Sequence, residues 1–180
     1  MKKIILFSVL LVLSLSINAQ SYTTKDLIGT WSYQKNDTLF KVRFSKIVPF
    51  PSKWTKDRKA IIGNYQLTVK GKIVQDCFSD NLPSIITDRK KYNIGNVTII
   101  ATIPTDNNLD ACAFIFYDMV KKHRNGEGIA GCKIKMLSPT QLEWNLNEFL
   151  EWSLEEHDEN EKFHFIGFSV PNNVILTKEP

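Results

Sequence analysis

Between residues 38 and 45 the chain alternates apolar and polar side chains one for one. Phe40, Val42 and Phe44 share one side, and Lys41, Arg43 and Ser45 share the other. Successive side chains of an extended strand point to opposite faces, so this period predicts a half-buried strand. A helix would repeat its apolar positions every three to four residues. The same rhythm occurs in residues 29–34, where Trp31 and Tyr33 share a face, and Lys35-Asn36-Asp37 between the two segments suits a tight reversal. A second hairpin is predicted from residues 61–69 and 72–78, turning at Lys70-Gly71. Further strands are predicted at 97–103, where β-branched residues dominate, and at 111–118, 129–137, 141–146, 162–170 and 174–176.

Between these segments the rhythm breaks. Residues 47–59 carry Pro49, Pro51 and a basic tip of Lys53, Lys56, Arg58 and Lys59, and read as a long loop or sheet-edge excursion. Residues 79–91 read as an irregular connection, 121–128 as a charged loop, and 148–161 as an acidic one. Helical periodicity is confined to single turns at 23–28 and 147–157. About nine or ten sequential strands predict a mostly β fold, one antiparallel meander closing into a barrel of roughly eight to ten strands, because closure removes the open edges of a long meander.

The N-terminus has a different character. Lys2 and Lys3 precede an uncharged apolar run over residues 4–15, and Ser16-Ile17-Asn18-Ala19 follows with a small residue at its end. This three-part arrangement predicts a cleavable secretory signal over residues 1–19, with a mature domain over 20–180. The run is too short to cross a bilayer, which takes roughly 20 apolar residues, so stable membrane insertion is not expected. Cleavage lowers the basic count from 23 to 21 against 19 acidic residues, and the net charge from +4 to +2. So small an excess does not predict binding to nucleic acid.

The segment Leu27-Ile28-Gly29-Thr30-Trp31 resembles the opening of a lipocalin-like domain, in which a Gly-x-Trp at the first strand packs its Trp across one end of the barrel. With the Ala19-Gln20 junction and the last strand introduced by Pro171-Asn172-Asn173, the mature chain resembles uncharacterised secreted lipocalin-like families of Bacteroidetes. The resemblance implies a lipocalin-like barrel with Gly29 and Trp31 as its opening motif. Lipocalins also stack an Arg near the last strand on that Trp. No Arg occurs after Arg124, and Lys178 is the nearest candidate for the place. That departure favours a lipocalin-like barrel over a true lipocalin.

Residues able to carry chemistry are sparse. Export makes disulfides possible, and Cys112 and Cys132, on strands flanking one loop, are the leading candidates for a bridge, although Cys77 can pair with either. A catalytic thiol would need a base, and His123 alone lies near in sequence. His123, His157 and His164 have no zinc spacing, and no cofactor is implied. The acidic run at Glu148, Glu151, Glu155, Glu156, Asp158, Glu159 and Glu161 lacks a calcium-loop pattern and reads as a solvated loop, as do the basic groups around Lys56, Arg89 and Lys122. There is no nucleophile elbow, P-loop or dinucleotide fingerprint. The leading expectation is an exported, non-enzymatic lipocalin-like protein that holds a small apolar or amphipathic ligand inside the barrel. The alternative is an envelope module that meets a protein or glycan through its long charged loops.

Overall fold

The computed structural model describes residues 22–50, 57–86, 97–104, 111–148 and 165–180. The signal peptide expected over 1–19, Trp54 with the tip of its loop, most of the acidic run, His157 and His164 lie outside the described residues.

A one-turn helix, α1 (Thr24–Leu27), leads into β1 (Gly29–Lys35), β2 (Thr38–Pro49), β3 (Lys59–Val69) and β4 (Lys72–Asp76). After β5 (Ile99–Thr102) and β6 (Cys112–Phe116), a second helical turn, α2 (His123–Gly126), precedes β7 (Ile129–Ser138), β8 (Gln141–Asn145) and β9 (Val174–Lys178). All pairings are antiparallel. The order β2-β1-β9-β8-β7-β6-β5-β3 closes through a β2–β3 ladder, giving an eight-stranded barrel with β4 outside on β3. The expected meander is therefore present, with one branch. The first half of β3 pairs with β5, from Ala60↔Thr102 to Gly63↔Ile99, while its second half pairs with β4.

Both early hairpins turn where the sequence places them. Asn36 sits at φ 50°, a conformation that Asn tolerates better than most residues, and Lys70-Gly71 has both residues at positive φ, as a tight hairpin turn requires.

Three expectations need correcting. The 47–59 loop begins later than expected, because β2 runs on to Pro49. A bulge between Phe44 and Lys46 reverses the facing of the strand, and Val48 therefore packs on the outer surface instead of continuing the Phe40-Val42-Phe44 stripe. The strand expected at 162–170 is absent from its described part. Gly167, at φ +65°, breaks the extended run, and residues 165–170 form a strap without a strand ladder across one end of the barrel. The bridge between Cys112 and Cys132 is also absent: all three cysteines are unbridged. The β6–β7 register sets Cys112 opposite Ile134 and Cys132 opposite Phe114, so the two thiols are diagonal neighbours, not facing partners.

These thiols are also shielded. Cys77, Cys112 and Cys132 are 4%, 3% and 0% exposed, and burial pushes the Cys112 thiol from its ordinary 9.0 up to about 12. A thiol reagent is expected to leave the native protein unmodified and to label three cysteines after denaturation. The raised value also has a sign. Above about pH 9 the unfolded thiol ionises and the folded one does not, so stability is full below that pH and falls as pH rises toward 12. Urea midpoints at pH 8 and pH 10 check this, the second being lower.

The inner faces meet in one cluster. Trp144 has Phe114 at 4.6 Å and Phe40 and Phe116 each at 5.6 Å between ring centroids, and Tyr65 lies 5.3 Å from Phe116. Offset and edge-on contacts of this kind are the favoured arrangements of aromatic rings. A second cluster lies outside the barrel wall, where Ala60, Ile62, Ile100 and Ile115 are covered by Leu82 and Ile86 of the 79–86 segment.

Trp31 closes the end of the barrel where α1 lies, donating its indole N–H to Leu27 O at 2.8 Å. Lys178 takes the place that the resemblance gives to an Arg: its ammonium lies 5.2 Å from the Trp31 ring centroid and donates to Asp26 O at 2.6 Å. Gly29 has φ +129°, and a Cβ there would meet Lys178 Cε at 3.0 Å, so the opening glycine leaves room for this lysine. Lys178→Met is expected to cost about 1–2 kcal/mol, as a lost cation–π contact and a lost charged hydrogen bond. Lys178→Arg is expected to keep most of it, both read by urea denaturation.

Candidate functional site

The antiparallel order places α1, Trp31, Lys178 and Cys112 at one end of the barrel. The β6–β7 connection with α2, the chain after β8 and the 165–170 strap lie at the other. Buried polar groups concentrate at this second end.

Asp118, 2% exposed, follows β6 directly. Its Oδ1 accepts the N–H groups of Val120 at 3.0 Å and Lys121 at 2.9 Å and the hydroxyl of Ser169 at 2.6 Å. Its Oδ2 accepts the Ser169 N–H, also at 2.6 Å. An aspartate that bonds amides two and three residues ahead shapes a turn, and the contacts to Ser169 fasten the strap to that turn. Beside it, the Tyr65 hydroxyl accepts the Met119 N–H at 3.0 Å, and burial pushes the Tyr65 phenol well above its ordinary range, so it stays neutral.

The second fastening is a His–Glu pair. His123 Nε2 lies 2.8 Å from Glu148 Oε1 and 3.1 Å from Gly167 O, and the Gly167 N–H reaches Glu148 Oε2 at 3.3 Å. A backbone carbonyl can only accept, so Nε2 carries a hydrogen and donates it to Gly167 O and Glu148 Oε1. The Phe168 ring lies 5.0 Å from the imidazole, and on its other side 6.3 Å from Phe116 of the aromatic cluster. His123 and Glu148 are 2% and 7% exposed. Among the described residues His123 Nδ1 has no hydrogen-bond partner.

A cavity of about 260 Å³ opens at this rim, lined by Tyr117, Asp118, Met119, Lys122, His123, Gly126 and Gly128. It is just below the usual range for small-molecule sites, roughly 300–1,000 Å³, and combines an aromatic and a thioether wall with a lysine and a histidine. No group of three His, Cys, Asp or Glu among the described residues is placed to hold a metal ion, and no helix among them is long and apolar enough to cross a membrane.

The residues singled out from sequence are thus divided. Gly29 and Trp31 meet with Lys178 at the first end, and Cys112 lies at that end too, opposite to His123, so the thiol and the base nearest it in sequence are not brought together. Glu148 is not a solvated member of an acidic run, because it is buried against His123. Asp118 and Ser169 attracted no attention in the sequence. The available signal was an Asp just past a strand end, placed to cap the amides of Val120 and Lys121 two and three residues ahead.

Neither a curated protein nor a solved structure matches the chain. A family model does, over residues 1–179, and the chain belongs to that family, a family of unknown function (DUF6705).

Proposed function

We propose that the protein is an exported, non-enzymatic, lipocalin-like binding protein whose ligand is a small amphipathic molecule held at the rim of the barrel. The observation that carries this reading is the cavity of about 260 Å³ walled by Tyr117 and Met119 on the apolar side and Lys122 and His123 on the polar side. The aromatic cluster around Trp144 occupies the middle of the barrel, which favours the rim over the central position expected from the strand pattern alone. Export rests on the basic start, apolar run and Ala19 exit of the first 19 residues.

Two measurements test it. Sequencing the N-terminus of the protein recovered outside the cytoplasm is expected to begin at Gln20, and intact retention of Met1 overturns export. Titration of the Met119 methyl NMR signal with a panel of small amphipathic compounds is expected to show saturable shifts that Met119→Trp, filling the cavity, abolishes. Saturable binding that leaves Met119 unmoved and quenches the buried tryptophans overturns the rim position.

A second reading, an envelope module contacting a protein or glycan, is favoured by one observation. Phe165 and Ile166, beside the acidic segment, are 71% and 50% exposed, and Val120 at the same end is 49% exposed. Pull-down from envelope extracts that depends on Phe165 and Ile166 would favour this reading over the first.

A further inference from the structure

We propose that β4 is a self-association surface. A second copy of this chain pairs with it antiparallel about a two-fold axis at Val74, and Lys72 of each copy meets the partner's Asp76.

β4 is the strand outside the barrel. It pairs with β3 alone, so among the described residues its other edge meets no strand. Gln75 stands opposite Leu67 and Ile73 opposite Thr68, which leaves Val74 as the extra residue of a bulge. Strict alternation would turn one of two neighbouring residues inward. At this bulge Ile73 and Val74 both face water, 60% and 52% exposed, while Gln75 donates to Cys77 Sγ at 3.3 Å. Ile73 lies beside Thr68, and Thr68 beside Leu39 of β2, both half-buried, so the apolar surface extends over three strands. An open strand edge with two β-branched apolar side chains is a surface that proteins otherwise shield.

The charges around β4 favour a second copy as the occupant. The hairpin tip is mainly basic, with Lys70, Lys72 and Lys35 against Asp37, whose carbonyl accepts the Lys70 N–H at 2.8 Å. The other end is mainly acidic, with Asp76 and Asp80 exposed and Arg43 paired to Asp80 at 3.1 Å. Lys72 is exposed and joins no ion pair among the described residues. Asp76 accepts from Gln66 and from the Phe78 N–H, two bonds where a carboxylate has about four acceptor sites. Lys72 and Asp76 stand equally far along the chain from Val74. A second β4 laid antiparallel, Val74 opposite Val74, brings each lysine to the partner's Asp76, twice by symmetry. A parallel arrangement sets lysine on lysine and aspartate on aspartate. The bulge interrupts the ladder, so side chains carry the contact rather than an unbroken row of backbone bonds. The pairing also closes on itself, because each copy has used its free edge.

Sedimentation velocity at rising protein concentration is expected to show a monomer–dimer equilibrium that weakens as salt is added. Val74→Lys, which sets two like charges on the axis, is expected to weaken the dimer about tenfold or more. Its urea midpoint is expected to stay close to that of the parent, because the side chain it replaces is exposed. Lys72→Glu and Asp76→Lys are each expected to weaken the dimer about tenfold, and an equimolar mixture of the two to restore it, since the mixed pair again joins opposite charges at both ends. If Asp76→Lys does not fold, Val74→Lys and Lys72→Glu still decide the outcome. A monomer at every concentration overturns the second copy as occupant. A dimer unmoved by Val74→Lys overturns β4 as the surface. Two weakened single variants whose mixture stays monomeric overturn the antiparallel register.

Discussion

Trp144→Ala is expected to destabilise the protein by about 3–5 kcal/mol, the usual range for deleting a fully buried large aromatic side chain. Trp144 is completely buried and touches Phe40 of β2 and Phe114 and Phe116 of β6, two strands other than its own. Its removal leaves a hole that rigid barrel walls cannot collapse to fill, so the transfer loss and the cavity loss add. A domain of this size commonly has only about 5–15 kcal/mol of stability, so the variant stands near the edge of folding. Urea denaturation followed by circular dichroism measures the effect. Trp144→Phe is the informative companion. The indole N–H has no hydrogen-bond partner among the described residues, so phenylalanine loses volume but no bond and is expected to cost clearly less. Ile175→Ala, at a residue 50% exposed on the neighbouring strand, is expected to stay within about 0.5 kcal/mol.

Asp118→Ala is expected to cost about 3–5 kcal/mol, as a buried charged acceptor is lost and its donors are left without it. Two of the four donors belong to Ser169, and the loss is therefore expected to be local as well as global. The strap over residues 165–170 has no ladder of its own, so its amides owe their protection to Asp118 and Glu148. Hydrogen exchange at the Gly167 and Ser169 amides is expected to accelerate in the variant far more than exchange in β7 or β8. Asp118→Asn is expected to recover only part of the loss, since an amide nitrogen in place of one carboxylate oxygen turns a donor toward a donor.

The contrast between these two residues shows what the sequence discloses. Trp144 sits between Leu142 and Leu146 in an unbroken alternation, and that local rhythm is enough to point it inward. The same holds for Phe40, Val42 and Phe44, and it is why the barrel was legible. The alternation misleads where a bulge interrupts it, as after Phe44, and where a single glycine conformation ends it, as at Gly167. The polar end was largely hidden for a different reason. His123 and Glu148 are separated by 25 residues, and Asp118 and Ser169 by 51. Pairings of this kind come from tertiary placement, and a glutamate opening an acidic run carries no local mark of burial. Cys112 and Cys132 show the opposite error: being on adjacent strands is legible, but facing one another depends on register, which the sequence left open.

The closure of the barrel bears on how the chain reaches this state. The seam between β1 and β9 is short, with Trp31 opposite Lys178 and Ser32 opposite Thr177, and the bond from Lys178 to Asp26 joins positions 152 residues apart. Contacts so distant along the chain form slowly, because the entropy of bringing the ends together is spent before any contact compensates it. A polypeptide emerging from its N-terminus presents β1 and β2 long before β9 exists, and until then the sheet has two raw margins able to pair with other chains. Completion therefore waits on the final few residues: they seal the cylinder, and a chain cut short before Val174 would remain an open sheet, prone to association with its own kind.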